Sequence, residues 1–169
     1  LNYIPGPWME SIQISKGTSS VRNGYESMAG QINVEYKKPR TSEKFYMNGF
    51  LSNAGRQEVN ANSSVLLNDK LSTMLSVHGE RQNSTSDHNH DSFRDEPDLV
   101  QYNLFNRWDY MTENFTFRTG IRYLNEERVG GQYAYQPENP DTWSDGFGIK
   151  IKTQRIEGFA KTGGVFGTD

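Results

Sequence analysis

The sequence predicts an all-β fold of antiparallel strands, and three observations support that prediction. Apolar and polar residues alternate along several segments of about ten residues, the length that a tilted strand needs to cross a bilayer. Mean hydropathy is low, at −0.84, although 12% of the residues are aromatic. No stretch approaches the 18 or so apolar residues of a membrane helix. This combination favours a transmembrane β-barrel with an apolar outer face and a polar lumen.

Two short strands come first and six longer ones follow. Ile12 and Ile14 stand two residues apart in the first short segment, and Ile32 and Val34 do so in the second. The six longer candidates lie at residues 43–53, 58–67, 71–79, 100–110, 115–123 and from residue 147 onward.

Period-2 alternation gives each long strand one apolar and one polar face. The polar face of a barrel strand lines the lumen, and the charged residues predicted there are Arg118, Arg122, Lys150 and Lys152. An aromatic girdle at the membrane boundary is predicted near a short turn, from Trp108, Tyr110 and Phe115.

Short and long connections alternate along the chain. Polar turns at 68–70 and 111–114 contrast with long polar segments at 81–98 and 126–146. Outer-membrane barrels have short turns on the periplasmic side and long loops outside. A soluble β-sandwich with one solvated sheet face would show the same strand alternation, so the periodicity alone leaves both architectures open.

The segment at 12–34 carries the most specific motif. Glycines interrupt its two short strands, which permits tight turns and a close backbone approach. The motif is formed by Ile12, Ile14, Lys16, Gly17, Ser20, Gly24, Gly30, Ile32, Asn33 and Val34.

This motif resembles the C-terminal end of the plug domain in TonB-dependent outer-membrane receptors. Three positions depart from the family pattern: Thr18 stands for a proline, Asn23 for a tyrosine and Ala29 for the first glycine of a pair. The resemblance implies a receptor fragment, with the end of the plug at 1–40 and about six barrel strands at 41–169. It also implies a bacterial outer-membrane location, contact with membrane lipid, and import of a small ligand. Plug movement would be driven by the TonB energy-coupling complex, which acts through residues upstream of this chain.

Histidines provide the candidate metal ligands. His88 and His90 stand two residues apart among carboxylates, and His78 is predicted near the outer end of a strand. Imidazole and carboxylate groups are suitable ligands for zinc, copper or iron. A hydrated loop without metal is the alternative, and the spacing favours it over a preformed site.

Loop aromatics are the other candidate ligand contacts. Tyr133, Tyr135 and Trp143 offer flat apolar faces to a chelate ring or a sugar, and packing within the loop is the alternative role. The sequence has no cysteine, nucleophile elbow or phosphate-binding loop, so neither an enzyme nor a bound cofactor is predicted. The net charge is −3 with no basic stripe, so nucleic acid is not an expected partner.

Within the resembled superfamily, glycan importers close the plug with an arginine and an asparagine that the segment at 23–32 lacks. A metal or metal chelate is therefore the favoured ligand. Two other functions stay open at this point: a soluble or surface β-sandwich module that binds carbohydrate or protein, and an adhesive surface protein without transport.

Overall fold

The computed structural model describes residues 3–17, 30–83, 86–135, 137 and 146–165. Its regular structure consists of eight β-strands and one short 3-10 helix, Gly6–Trp8. The all-β prediction is confirmed. Within the described ranges, no helix is long and apolar enough to cross a bilayer.

Six strands form one antiparallel sheet in which each strand pairs with its neighbours in the chain. The strands are β3 (Phe45–Leu51), β4 (Arg56–Leu66), β5 (Leu71–Gln82), β6 (Asp98–Met111), β7 (Phe115–Gly131) and β8 (Gly148–Gly164). β3 and β8 are the two edges, so the sheet is open and does not close on itself.

The first two strands, β1 (Met9–Lys16) and β2 (Gly30–Tyr36), form a separate antiparallel ribbon. Ile12 pairs with Val34 and Ile14 with Ile32, so the predicted apolar positions of the two strands face the same side.

The two faces of the six-stranded sheet differ in both polarity and exposure. One face is covered and polar: Asn60, Gln101 and Asp109 are each at most 2% exposed. The opposite face is apolar and open, with Tyr102 and Ile121 both close to 60% exposed. A β-sandwich buries its apolar face between two sheets, which is the reverse of this arrangement.

The N-terminal part of the chain covers the polar face. Trp8 is 1% exposed. Its ring stacks at 6.2 Å from the ring of Phe105, and the Tyr36 ring lies 5.2 Å from that of Phe105. We call residues 3–17 and 30–37 the ribbon segment. The small apolar core of the molecule lies between this segment and the centre of the sheet.

The strand faces agree with the predicted alternation at Arg118 and Arg122, which lie on the covered face. Arg118 is in register with the buried Asp109, and Arg122 is itself buried. On the open face, Tyr110 and Phe115 are in ring contact at 6.4 Å, near the short turn that joins β6 and β7. Trp108 is on that same face.

The prediction for Lys150 and Lys152 was wrong. In the β7–β8 register they pair with Val129 and Glu127, which share the open face with Tyr123. The β7 strand extends to Gly131, beyond the predicted end at residue 123. On β8, the alternating residues Ile149 and Ile151 pair with Gly130 and Arg128 on the opposite side, so the apolar and polar residues at this end of the strand are on the reverse of the predicted faces.

Candidate functional site

The covered polar face of the sheet is the candidate functional site, and Arg122 on β7 is its best-connected residue. One guanidinium nitrogen donates to the Asn103 side chain at 3.1 Å and also to the Tyr3 carbonyl. The other lies 3.4 Å from the Tyr36 hydroxyl and 3.5 Å from a Glu157 carboxylate oxygen. Arg122 therefore joins three strands of the sheet to both ends of the ribbon segment.

Arg107 on β6 makes a second connection. Its Nε and Nη2 atoms donate to the two carboxylate oxygens of Asp109, at 2.8 and 3.1 Å. Its Nη1 atom donates to the Lys37 carbonyl at 3.4 Å. A bidentate pair fixes the plane of the guanidinium. Asn62 adds a third connection, from its side-chain amide to the Pro7 carbonyl at 3.2 Å.

These contacts share one chemical feature: side chains of the sheet donate to main-chain carbonyls, those of Tyr3, Pro7 and Lys37. Buried carbonyls need hydrogen-bond partners, and backbone acceptors make the contact independent of side-chain identity in the ribbon segment. The arrangement holds the segment by hydrogen bonds that can be exchanged for water.

A polar cavity of about 280 Å³ opens on the same face, at the end of the sheet where the long loops lie. Arg56, Arg128 and the carboxylate of Glu80 form part of its walls. Arg56 pairs with Glu80 at 2.9 Å, and Arg128 pairs with Glu126 at 3.3 Å. The other lining residues are Gln82, Glu96, Pro97, Leu99 and Gln101, with Gln82 donating to Glu96.

Gln101 distinguishes this cavity from an ordinary surface hollow. Its side chain is 2% exposed and lines the cavity. Its side-chain amide offers two donors and one acceptor to a molecule that enters the cavity.

His78 lies on the covered face of β5, behind the cavity wall. It is 3% exposed, and its Nδ1 atom is 2.8 Å from the Asn60 side-chain oxygen. Carboxylates of Glu80 and Glu58 lie at 3.6 and 3.8 Å from its ring nitrogens. His78 is therefore part of a buried polar network.

His88 and His90 lie in the loop between β5 and β6. The Nδ1 atom of His88 is 2.6 Å from an Asp95 carboxylate oxygen, and this hydrogen bond lowers the pKa of Asp95. His90 adopts a positive φ of 57°. In the described part of the chain, no group of three or more His, Asp or Glu side chains is arranged to hold a metal ion, so the three histidines do not form a common centre there.

The same loop is held by its own hydrogen bonds. Both carboxylate oxygens of Asp87 accept from main-chain N–H groups, those of Asp91 and Ser92, at 3.1 and 3.0 Å. Phe93 forms a β-bridge to Gln132 in the neighbouring loop. The two long loops are therefore joined.

Tyr133 and Tyr135 are in the second long loop, and their rings contact its neighbours: the first long loop and the start of β8. The Arg94 guanidinium lies 5.3 Å from the centre of the Tyr133 ring, and burial raises the pKa of Tyr133. The Tyr135 ring occupies the space beside Gly148, where a Cβ atom would be 2.2 Å from it. Trp143 is outside the described residues.

The motif residues fall in two groups. Lys16, Ile32 and Asn33 are in the β1–β2 ribbon, Gly30 begins β2, and Gly17 follows β1 with a φ of 87°. The Asn33 side chain donates to that of Gln13 at 3.2 Å. Ser20 and Gly24 lie outside the described residues.

The sequence-based search missed the cavity residues Arg56, Gln101 and Arg128. The available signal was their position: each stands on the polar side of a strand, toward the end of the sheet at which the long loops lie. The sequence alone does not show that these residues line one cavity, because they come from β4, β6 and β7 and meet only when the strands pair.

The fold and this face together define an open antiparallel sheet with an apolar outside and a polar, covered inside. Comparisons with family models, with curated proteins and with solved structures found no match to this chain.

Proposed function

We propose that this chain is part of a TonB-dependent outer-membrane receptor, comprising the end of the plug and six barrel strands. One observation carries the proposal: the centre of the sheet's polar face is covered by residues 3–8 and 36–37, while its apolar face is open. A transmembrane barrel requires this polarity, because hydrocarbon contacts its outer face and the plug fills its lumen.

The dimensions of the apolar face support the proposal. Outward-facing residues of β6 run from Val100 to Tyr110, ten residues apart. At about 3.4 Å per residue that is roughly 34 Å along the strand. A strand tilted by about 40° would span roughly 25 Å of bilayer, the height of the apolar band in outer-membrane barrels.

Two polar residues on the open face, Asn106 and Thr119, also fit a lipid environment, because their side chains form hydrogen bonds within the sheet. The Asn106 amide donates to the Met74 carbonyl at 3.1 Å and accepts from the Trp108 ring nitrogen at 2.6 Å. The Thr119 hydroxyl donates to the Phe159 carbonyl at 2.9 Å. Polar groups facing hydrocarbon have no water to bond, so such internal partners are needed there.

In the proposed mechanism, a ligand enters from the long-loop end and contacts the cavity around Gln101. Traction by the energy-coupling complex then breaks the hydrogen bonds from Arg107, Arg122 and Asn62, and the plug shifts. A metal chelate is the proposed ligand. Its polar outer atoms would accept from the Gln101 amide and from the arginines of the cavity wall.

The test uses the full-length protein, purified in detergent, with ferric chelates and neutral oligosaccharides as separate probes. We expect a ferric chelate to bind, and the Gln101→Leu variant to weaken that binding about tenfold, as the loss of a buried hydrogen bond worth about 1.4 kcal/mol would do. Tyr102→Phe, on the opposite face of β6, is the matched control. Binding only of oligosaccharides would overturn the chelate proposal, and a protein that is soluble without detergent would overturn the receptor proposal.

A further inference from the structure

The polar cavity at the long-loop end has more carboxylates than cations around it. Its charged lining residues are Arg56, Glu80, Glu96 and Arg128. Arg56 pairs with both Glu80, at 2.9 Å, and Glu58, at 3.1 Å. Arg128 pairs with Glu126, at 3.3 Å. The two arginines are therefore neutralised by their own carboxylates.

Glu96 is the lining carboxylate that has no cationic partner in the described part of the chain. It is exposed in the loop before β6, and it accepts a hydrogen bond from the side-chain amide of Gln82. An amide carries no charge, so it does not neutralise the carboxylate. On β8, Arg155 of the same face is paired with Glu157, at 2.6 Å.

The protonation state of His78 does not change the sign of this charge. Its ring nitrogens lie 3.8 and 3.6 Å from carboxylate oxygens of Glu58 and Glu80, which already share Arg56. With a protonated imidazole, four carboxylates accompany three cations around the cavity, and with a neutral imidazole they accompany two. Among the described residues, the surroundings of the cavity are therefore negative in both states.

We infer that the cavity takes a ligand with a positively charged ammonium group, and that Glu96 is the partner of this group. The inference rests on the proposed function and narrows it to cationic chelates. An ammonium group forms a charge-assisted hydrogen bond with a carboxylate. The Gln101 amide and the two arginines would contact uncharged oxygen atoms of the same ligand. A chelate with a net negative charge is disfavoured, because it would face a carboxylate without a counter-charge.

The experiment uses the full-length protein in detergent and three ferric trihydroxamates that differ at one group. The first has a pendant primary ammonium, the second has the same amine acetylated, and the third has it succinylated, so the chelates are cationic, neutral and anionic. Calorimetric titration gives the three dissociation constants. We expect the cationic chelate to bind about tenfold more tightly than the neutral one, as one charge-assisted hydrogen bond would do. The anionic chelate should bind most weakly.

Glu96→Gln tests the partner of the ammonium group, since it removes the charge and nearly keeps the shape. The cationic and neutral chelates should bind this variant with nearly equal affinity. Its affinity for the neutral chelate should equal that of the wild type, which shows that the cavity is intact. Glu113→Gln is the matched control, because it removes the same charge from the exposed turn between β6 and β7.

Loss of the preference in Glu96→Gln but not in Glu113→Gln would support the inference. It would be overturned, with the proposed function intact, by equal binding of the three chelates, by tightest binding of the succinylated one, or by equal effects of the two substitutions. Binding of ferric citrate, an anionic chelate, in place of all three trihydroxamates would overturn it too. A protein that binds no ferric chelate gives a different result, because the proposed function then fails and the inference fails with it.

Discussion

At the scale of single residues, buried arginines connect the ribbon segment to the sheet. Arg107 and Arg122 are each 8% exposed, and each has both a side-chain partner and a main-chain carbonyl partner. A buried charge is tolerated only when it is paired. These residues therefore make the position of the segment depend on specific donors as well as on apolar packing.

Replacing Arg122 tests that dependence. Arg122→Leu removes the donors to the Tyr3 carbonyl and to Asn103 and leaves Glu157 without this partner, so we expect a loss of about 3 kcal/mol from the stability of the interface. Hydrogen exchange of the β1 and β2 amides should accelerate in the variant. Lys161→Gln, which removes an exposed cation from the same face, is the control. Unchanged exchange in Arg122→Leu would contradict the role given to this residue.

The loop between β5 and β6 should respond to acid. The hydrogen bond from His88 lowers the pKa of Asp95, so the charged form is favoured in the folded loop. The stabilisation is fully present above the ordinary carboxyl value of about 4 and is lost as pH falls below it. We expect loop amides around Asp95 to exchange faster, relative to the intrinsic rate, at pH 3 than at pH 6. Asp95→Asn should abolish this pH dependence.

At the scale of elements, the β1–β2 ribbon depends on glycine at one position. Gly30 has a φ of +142°, and a Cβ atom there would lie 2.8 Å from the Ser15 carbonyl oxygen. Both the dihedral angle and the contact exclude an ordinary side chain. The predicted close backbone approach at this glycine is confirmed.

Gly30→Ala should therefore separate the ends of β1 and β2, at a cost of about 1–3 kcal/mol. Pairing of Lys16 with residue 30 would be lost first, because it is next to the strained position. Exchange rates of amides at the Lys16 end of the ribbon measure the effect. Gly6→Ala is the matched control, since a Cβ atom at Gly6 has nothing within 4 Å. Equal behaviour of the two variants would count against the strain argument.

Sequence patterning predicted the strands well wherever one face was apolar and the other polar. On β4, Val59 and Val65 are outside and Asn60 and Asn62 inside, as predicted. Patterning failed near the long loops, where β7 continues past Asn125 with polar residues on both faces. Patterning also could not identify the cavity, because its lining residues are far apart in the sequence and come together only when the strands pair in the sheet.

At the scale of the whole molecule, the open apolar face decides between a membrane protein and a soluble module, and Ile121 tests it. This residue is 58% exposed near the middle of the band. In a bilayer, Ile121→Lys should destabilise the folded protein by about 2–4 kcal/mol, because a charge at that depth loses its hydration.

In water the same substitution would be neutral or favourable, since it replaces exposed apolar surface with a hydrated charge. Gln154→Lys, nearer the long-loop end of the open face, is the control, and a charge close to the interface should cost about 1 kcal/mol or less. Denaturant titration of both variants folded into vesicles gives the two values. A loss of stability in Ile121→Lys no larger than that of the control would mean that hydrocarbon does not contact this face, and the receptor assignment would fail with it.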